Sequence, residues 1–115
     1  MAVEPGIYNI RLYKGSDWKL KLEFKDSTDS AVDLTGYTVA AQIWNQQRSK
    51  KFADFSVTHP GINDRANGVA FLELGDTDTK MLPDLAYYDV RLTNTDSKSE
   101  YYLKGSVTGL QGYTQ

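Results

Sequence analysis

Cysteine is absent from the 115 residues, histidine occurs once and proline three times. Disulfide frameworks, thiolate metal sites and thiol nucleophiles are thereby excluded, and stability has to come from packing and hydrogen bonding. No run approaches the roughly 20 consecutive apolar residues that a membrane-spanning helix needs. The opening MAVEPGIYNI lacks the basic start, apolar centre and cleavage site of a secretory signal, so synthesis and folding in a cytoplasm are expected. Charge of one sign is missing too, with 13 basic residues against 15 acidic ones and a formal net charge of -2. That balance is too even to steer a polyanion, and neither nucleic acid nor a membrane is expected as a partner.

What remains is a chain with 40% hydrophobic and 24% charged residues, the balance of a globular protein. Its length provides for one hydrophobic core, so residues 1–115 read as a single domain, with a core over 6–108 and a flexible tail over 109–115.

Period-two alternation dominates, because successive strand side chains point to opposite faces of a sheet. In WKLKLEFK, Trp18, Leu20, Leu22 and Phe24 project to one side and Lys19, Lys21, Glu23 and Lys25 to the other. Upstream, Tyr8, Ile10 and Leu12 share a face and the turn KGSD follows, so residues 6–25 read as a hairpin. The loop DSTDSAVDLTG leaves Leu34 to tuck under a sheet edge. Next, YTVAAQIW alternates Tyr37, Val39, Ala41 and Ile43 inward and puts Trp44 outward; FADFSV forms a short strand through Ala53, Phe55 and Val57. In VAFLEL, Ala70, Leu72 and Leu74 suit the core while Val69 and Phe71 lie opposite. Asp76 or Thr77 caps one helical turn, with Pro83 ending it. YYDVRLT then places Tyr88, Val90 and Leu92 inward, and EYYLKGSVT sends Tyr101, Leu103 and Val107 inward and Tyr102 outward.

Seven such strands with regular turn signals and one helical crossover predict an all-β, immunoglobulin-like sandwich, with a small closed barrel as the competing architecture. A tyrosine opening the sixth strand after a crossover suits a tyrosine corner, a role open to Tyr87 or Tyr88.

Catalytic and metal-binding constellations are sparse. His59 has no nucleophile or orienting carboxylate assigned to it by any motif and reads as a loop-packing residue. GDTDTK spaces carboxylates as calcium loops do, but Lys80 interrupts the series and Tyr87 stands where the bidentate glutamate belongs, so Asp76 and Asp78 read as helix caps. No enzyme activity, cofactor or metal is expected.

The outward aromatics carry more information. Tyr13, Trp44, Phe52, Phe71, Tyr87 and Tyr102 fall on faces that alternation assigns to solvent, and such residues are enriched where protein surfaces meet. Trp44, Phe52, Phe71, Tyr87 and Tyr102 are therefore the candidate protein interface, with Arg48, Lys50 and Lys51 of QQRSKK steering an acidic partner. The plainer alternatives are a solvated basic loop, and aromatics that cover a sheet edge or follow a parity reversed by a bulge. Sugar stacking is a further possibility for the same rings, but carbohydrate platforms come with neighbouring Asp, Asn or Glu, which the sequence alone does not put beside them.

The order YNIRLYKGSDWKLKLEF, AVDLTGYTVAAQIW, FSV, GVAFLEL, DTKMLPDLAYYDVRLTN, YYLKGSVT resembles small domains of tailed-phage structural proteins, notably the N-terminal immunoglobulin-like domain of upper-baseplate proteins and related collar or tail-fibre adaptors. The resemblance covers most of residues 6–108, with DLTGYTVAAQI and YYDVRL its most specific parts. It implies a non-enzymatic virion component that docks on the tail, collar or baseplate through other phage structural proteins, as a multi-copy homo-oligomeric ring. Upper-baseplate proteins continue into a helical or fibre-forming region, whereas this sequence stops at GLQGYTQ. A carbohydrate-binding module touching the host surface is the alternative function.

Overall fold

The structure is a computed structural model that describes residues 6–26 and 28–112. Among them are strands β1 (Gly6–Ile7), β2 (Ile10–Tyr13), β3 (Trp18–Glu23), β4 (Thr38–Trp44), β5 (Lys51–Asp54), β6 (Ser56–Thr58) and β7 (Val69–Leu74), the helical turn α1 (Asp76–Lys80), then β8 (Leu85–Thr93) and β9 (Ser99–Leu110). They make two sheets packed face to face. The larger has the order β1-β9-β8-β4-β5, with β2 continuing the β1 edge along β9; the smaller has the order β3-β7-β6. This is the immunoglobulin-like sandwich, with α1 crossing from the small sheet to the large one.

Nine strands replace the seven expected because two are split. The first breaks at Tyr8 and Asn9. The fourth breaks at Phe55, whose backbone N–H still bonds Ala41 in the large sheet (3.0 Å) before Ser56 pairs with Glu73 in the small one. The expected hairpin over residues 6–25 does not form. β2 runs parallel to β9, while β3 pairs with β7 in the opposite sheet. Both strands do turn their apolar sides inward, but alternation reports which side of a strand is oily and not which sheet it joins.

The crossover between them is tied to α1. Thr79, fully buried, accepts a hydrogen bond at Oγ1 from Gly15 N (3.0 Å) and donates one to the Ser16 carbonyl (2.7 Å). Helix capping also differs from expectation. The N-cap is Gly75, with no side-chain cap bond, and Asp17 from the crossover accepts from Asp76 N (2.9 Å). A carboxylate does sit at the helix start, supplied by a segment 59 residues away.

The core joins Phe24, Leu34, Ile43, Leu72, Val90 and Val107, all buried, and Leu34 takes its expected place beneath the sheets. A file of rings crosses between the sheets, with Trp18–Phe55 centroids at 5.7 Å and Phe55–Tyr88 at 5.8 Å. Of the two corner candidates, Tyr88 is the inward one. Its hydroxyl donates to the Tyr8 carbonyl at 2.6 Å, fastening the N-terminal strand and not the turn just upstream. Burial, and secondarily the neighbouring Tyr8, pushes the Tyr88 phenol well above its ordinary pKa, which keeps it a neutral donor.

Parity also fails along β9. Val90 pairs with Leu103 but Arg91 pairs with Tyr101, so Tyr102 is an extra residue, a β-bulge. The bulge exchanges the two tyrosines: Tyr101 is 48% exposed, whereas Tyr102 turns inward onto Phe24, centroids 4.4 Å apart. Its hydroxyl accepts from Lys25 N (3.2 Å) and donates to the Glu23 carbonyl (3.3 Å). Replacing Tyr102 with serine is accordingly expected to cost the isolated domain roughly 2 kcal/mol, from lost ring packing and apolar burial. Urea titration of the purified variant measures it, and an unchanged midpoint would contradict the inward placement. The expected tail also shortens, since β9 continues through Gly109 and Leu110; residues 113–115 lie outside the described residues.

Candidate functional site

The outer faces of the two sheets differ in chemistry. On the small sheet, β3 and β7 present Lys19, Lys21, Glu23 and Glu73, joined as Lys19–Glu73 (4.0 Å) and Lys21–Glu23 (3.3 Å). Phe71 lies on this face with the Lys19 ammonium 4.7 Å above its ring. It is outward, as expected, but on the other side of the molecule from Trp44 and Tyr87, under a cation that already covers it.

The large sheet has an aromatic and amphipathic outer face, built in rows by strand register. In one row Lys51, Trp44, Tyr87 and Ser106 lie side by side across β5, β4, β8 and β9. In the next, Asp54, Gln42, Asp89, Lys104 and Ile7 do so across five strands. Arg91 and the bulge-turned Tyr101 begin a third. Toward the crossover end, Leu85, Thr108 and Arg11 form a row, followed by the pair Leu110 and Tyr13. Ile7, Tyr13, Leu85, Tyr87 and Tyr101 on this face are all at least 36% exposed.

The rows enclose a groove of about 700 Å³. Trp44, Tyr87 and Tyr101 contribute rings to its lining, and Gln42, Asp89 and Arg48 contribute polar groups. Trp44 is oriented by its indole N–H, which donates to Gln42 Oε1 (3.0 Å). Arg48 is placed by the β4–β5 turn. Asn45 Oδ1 accepts from Ser49 N (2.8 Å) and Lys50 N (3.1 Å), and Arg48 adopts φ 57°, the left-handed conformation such a turn needs. Asp89 lies on the sheet floor, where burial raises its carboxyl pKa while the charges of Arg48 and Arg91 act in the opposite sense.

The proposed interface residues thus disperse. Trp44, Tyr87 and Arg48 converge on the groove. Phe71 is on the opposite sheet and Tyr102 is turned into the sandwich. Phe52 is the unpaired residue between Lys51 and Ala53 on the edge strand β5; it packs against the core and lies 5.5 Å beneath the Lys50 ammonium. Lys51 is occupied by Asp54 (3.0 Å). Sequence reasoning missed Tyr101, Asp89 and Gln42. Gln42 shares a face with Trp44 on β4 and Asp89 with Tyr87 on β8, and the β4–β8 register, which alternation does not give, brings the amide and the carboxylate together one row from the two rings.

His59 packs in its loop, Nδ1–H donating to the Val69 carbonyl (2.8 Å). Among the described residues no three His, Cys, Asp or Glu side chains gather as a metal site, and no helix is long and apolar enough to cross a membrane. Comparison with protein-family models finds no match, and comparison with curated proteins finds none either.

Proposed function

We propose that this domain is a structural component of a tailed-phage particle, an adaptor that seats on the tail, collar or baseplate in several copies and works by docking, without catalysis. The observation that supports docking is the sidedness of the sandwich. One outer face is a lattice of paired charges, while the other carries Tyr13, Leu85, Tyr87 and Ile7 exposed on a single rigid sheet. Exposed apolar and aromatic groups gathered on one face mark an interaction surface, whereas paired surface charges contribute little to binding. The phage assignment is supported by the resemblance over most of residues 6–108. A ring of copies would convert modest individual contacts into firm attachment through effective concentration.

Mass spectrometry of purified particles, with the domain placed by electron microscopy, tests the assignment; absence of the polypeptide would sink it. The docking face has its own test in Leu85→Asp. Leu85 is 53% exposed, so the fold should be retained, and a charge set into the apolar end of the face should lower incorporation at least about tenfold. Wild-type incorporation would move the contact elsewhere.

A further inference from the structure

We propose that the groove walled by Trp44, Tyr87 and Tyr101 is a binding site for an oligosaccharide. Its volume, about 700 Å³, lies within the roughly 300–1,000 Å³ of small-molecule sites. Sugars present two chemistries at once, apolar C–H faces and hydroxyls that both donate and accept. The lining answers both. Three aromatic rings give flat apolar surface, the Asp89 carboxylate accepts, and Arg48 and the Gln42 amide donate.

The bulge sharpens the point. With regular pairing Tyr101 would face the core; one inserted residue turns its ring out to the groove, and bulges commonly re-aim a side chain next to a functional site. Asp89 points the same way, since its carboxylate sits partly desolvated in mid-sheet beside groove rings. A carboxylate held there is a poor device for stability and a good acceptor for hydroxyls.

A peptide that adds a strand does not suit this floor. β4, β8 and β9 are interior strands whose backbone groups are already paired on both sides. An apolar helix would have to leave Asp89 and Arg48 buried without new partners. The inference is independent of the virion assignment, because saccharide binding by the isolated domain is measured whether or not the polypeptide is found in particles.

The test is an array of neutral and uronic-acid-containing microbial saccharides probed with the full chain, followed by titration of the best-bound oligosaccharide under ¹H–¹⁵N NMR. Saturable shifts at the Trp44 indole and at the amides of Gln42, Asp89 and Tyr101 are expected. Tyr101→Ala, at an exposed position, should melt as the wild type does and bind about three- to tenfold more weakly. Asp89→Asn should also weaken binding by removing the acceptor charge. An array with no response overturns the proposal. So does binding that both variants leave unchanged, or shifts confined to the β3–β7–β6 face.

Discussion

Replacing Phe24 with alanine is expected to lower the stability of the domain by about 3–5 kcal/mol, the range for a buried aromatic truncated in a site that cannot collapse. Phe24 is fully buried, with its ring against Tyr102 at 4.4 Å. Its backbone is held at both ends: the N–H bonds Gly68 (2.7 Å), and the carbonyl accepts from Val32 N (2.9 Å). Gly68 is itself fixed, at φ +71° with no room for a Cβ against the Phe24 and Val32 carbonyls. With the surrounding backbone pinned, the void persists. Urea unfolding followed by tryptophan fluorescence gives the number, and a loss below about 1 kcal/mol would mean that the loop over residues 31–34 refills the space.

Gly105→Ala should rank next, at about 3 kcal/mol, the upper part of what overpacking costs. Gly105 pairs with Tyr88 on the neighbouring strand, and a Cβ there would collide with the Tyr8 carbonyl, a backbone atom that cannot swing aside as a side chain can. The same carbonyl receives the Tyr88 hydroxyl, and Tyr8 N donates to Lys104 (2.9 Å). One methyl group would therefore pry the first strand off its neighbour and orphan the phenol. Faster hydrogen exchange at residues 7–10 would report the release. Alkaline titration supplies a second readout. A phenol whose folded pKa is raised above the ordinary 10.0 contributes stability that is complete below that pH and lost as pH climbs through the folded value. In Gly105→Ala the Tyr88 phenol should titrate closer to its ordinary pKa, and the alkaline loss of stability should shrink. Wild-type exchange and titration would show that the strand accommodates the methyl group.

Alternation was enough to place Ile10, Leu12, Leu22, Val39, Ile43, Leu72, Val90 and Leu92 inside, because each lies on a regular strand with one oily side, and Phe24 follows the same beat one residue past the end of β3. Its failures share a cause. At Phe55 the chain changes sheets, at Tyr8 it breaks, and at Tyr102 it takes in an extra residue; each event is a local backbone adjustment that side-chain period does not encode. The tyrosine doublets show the limit well. Whatever the register, adjacent strand residues face opposite ways, so Tyr87-Tyr88 and Tyr101-Tyr102 each had to offer one ring outward. For Tyr87-Tyr88 regular alternation picked the ring, whereas for Tyr101-Tyr102 a bulge opposite Val90 and Arg91 decided it. The groove was legible only in part for a related reason. Trp44, Tyr87 and Arg48 were visible as surface residues, and period two already sets Gln42 beside Trp44 and Asp89 beside Tyr87; that the two pairs meet in one groove depends on aligning β4 with β8 across more than 40 residues.

The parallel pairing of the first strand with the last has a mechanical consequence. β2 and β9 run in the same direction from Ile10 beside Val107 to Tyr13 beside Leu110, so the chain enters this strand pair at one pole and leaves it at the other. Tension between Gly6 and Gly112 would slide the two strands along each other and load their rungs together in shear, where an antiparallel pair pulled at its open end would unzip one rung at a time. A pull along β2 and β9 would thus be met by all of their rungs at once.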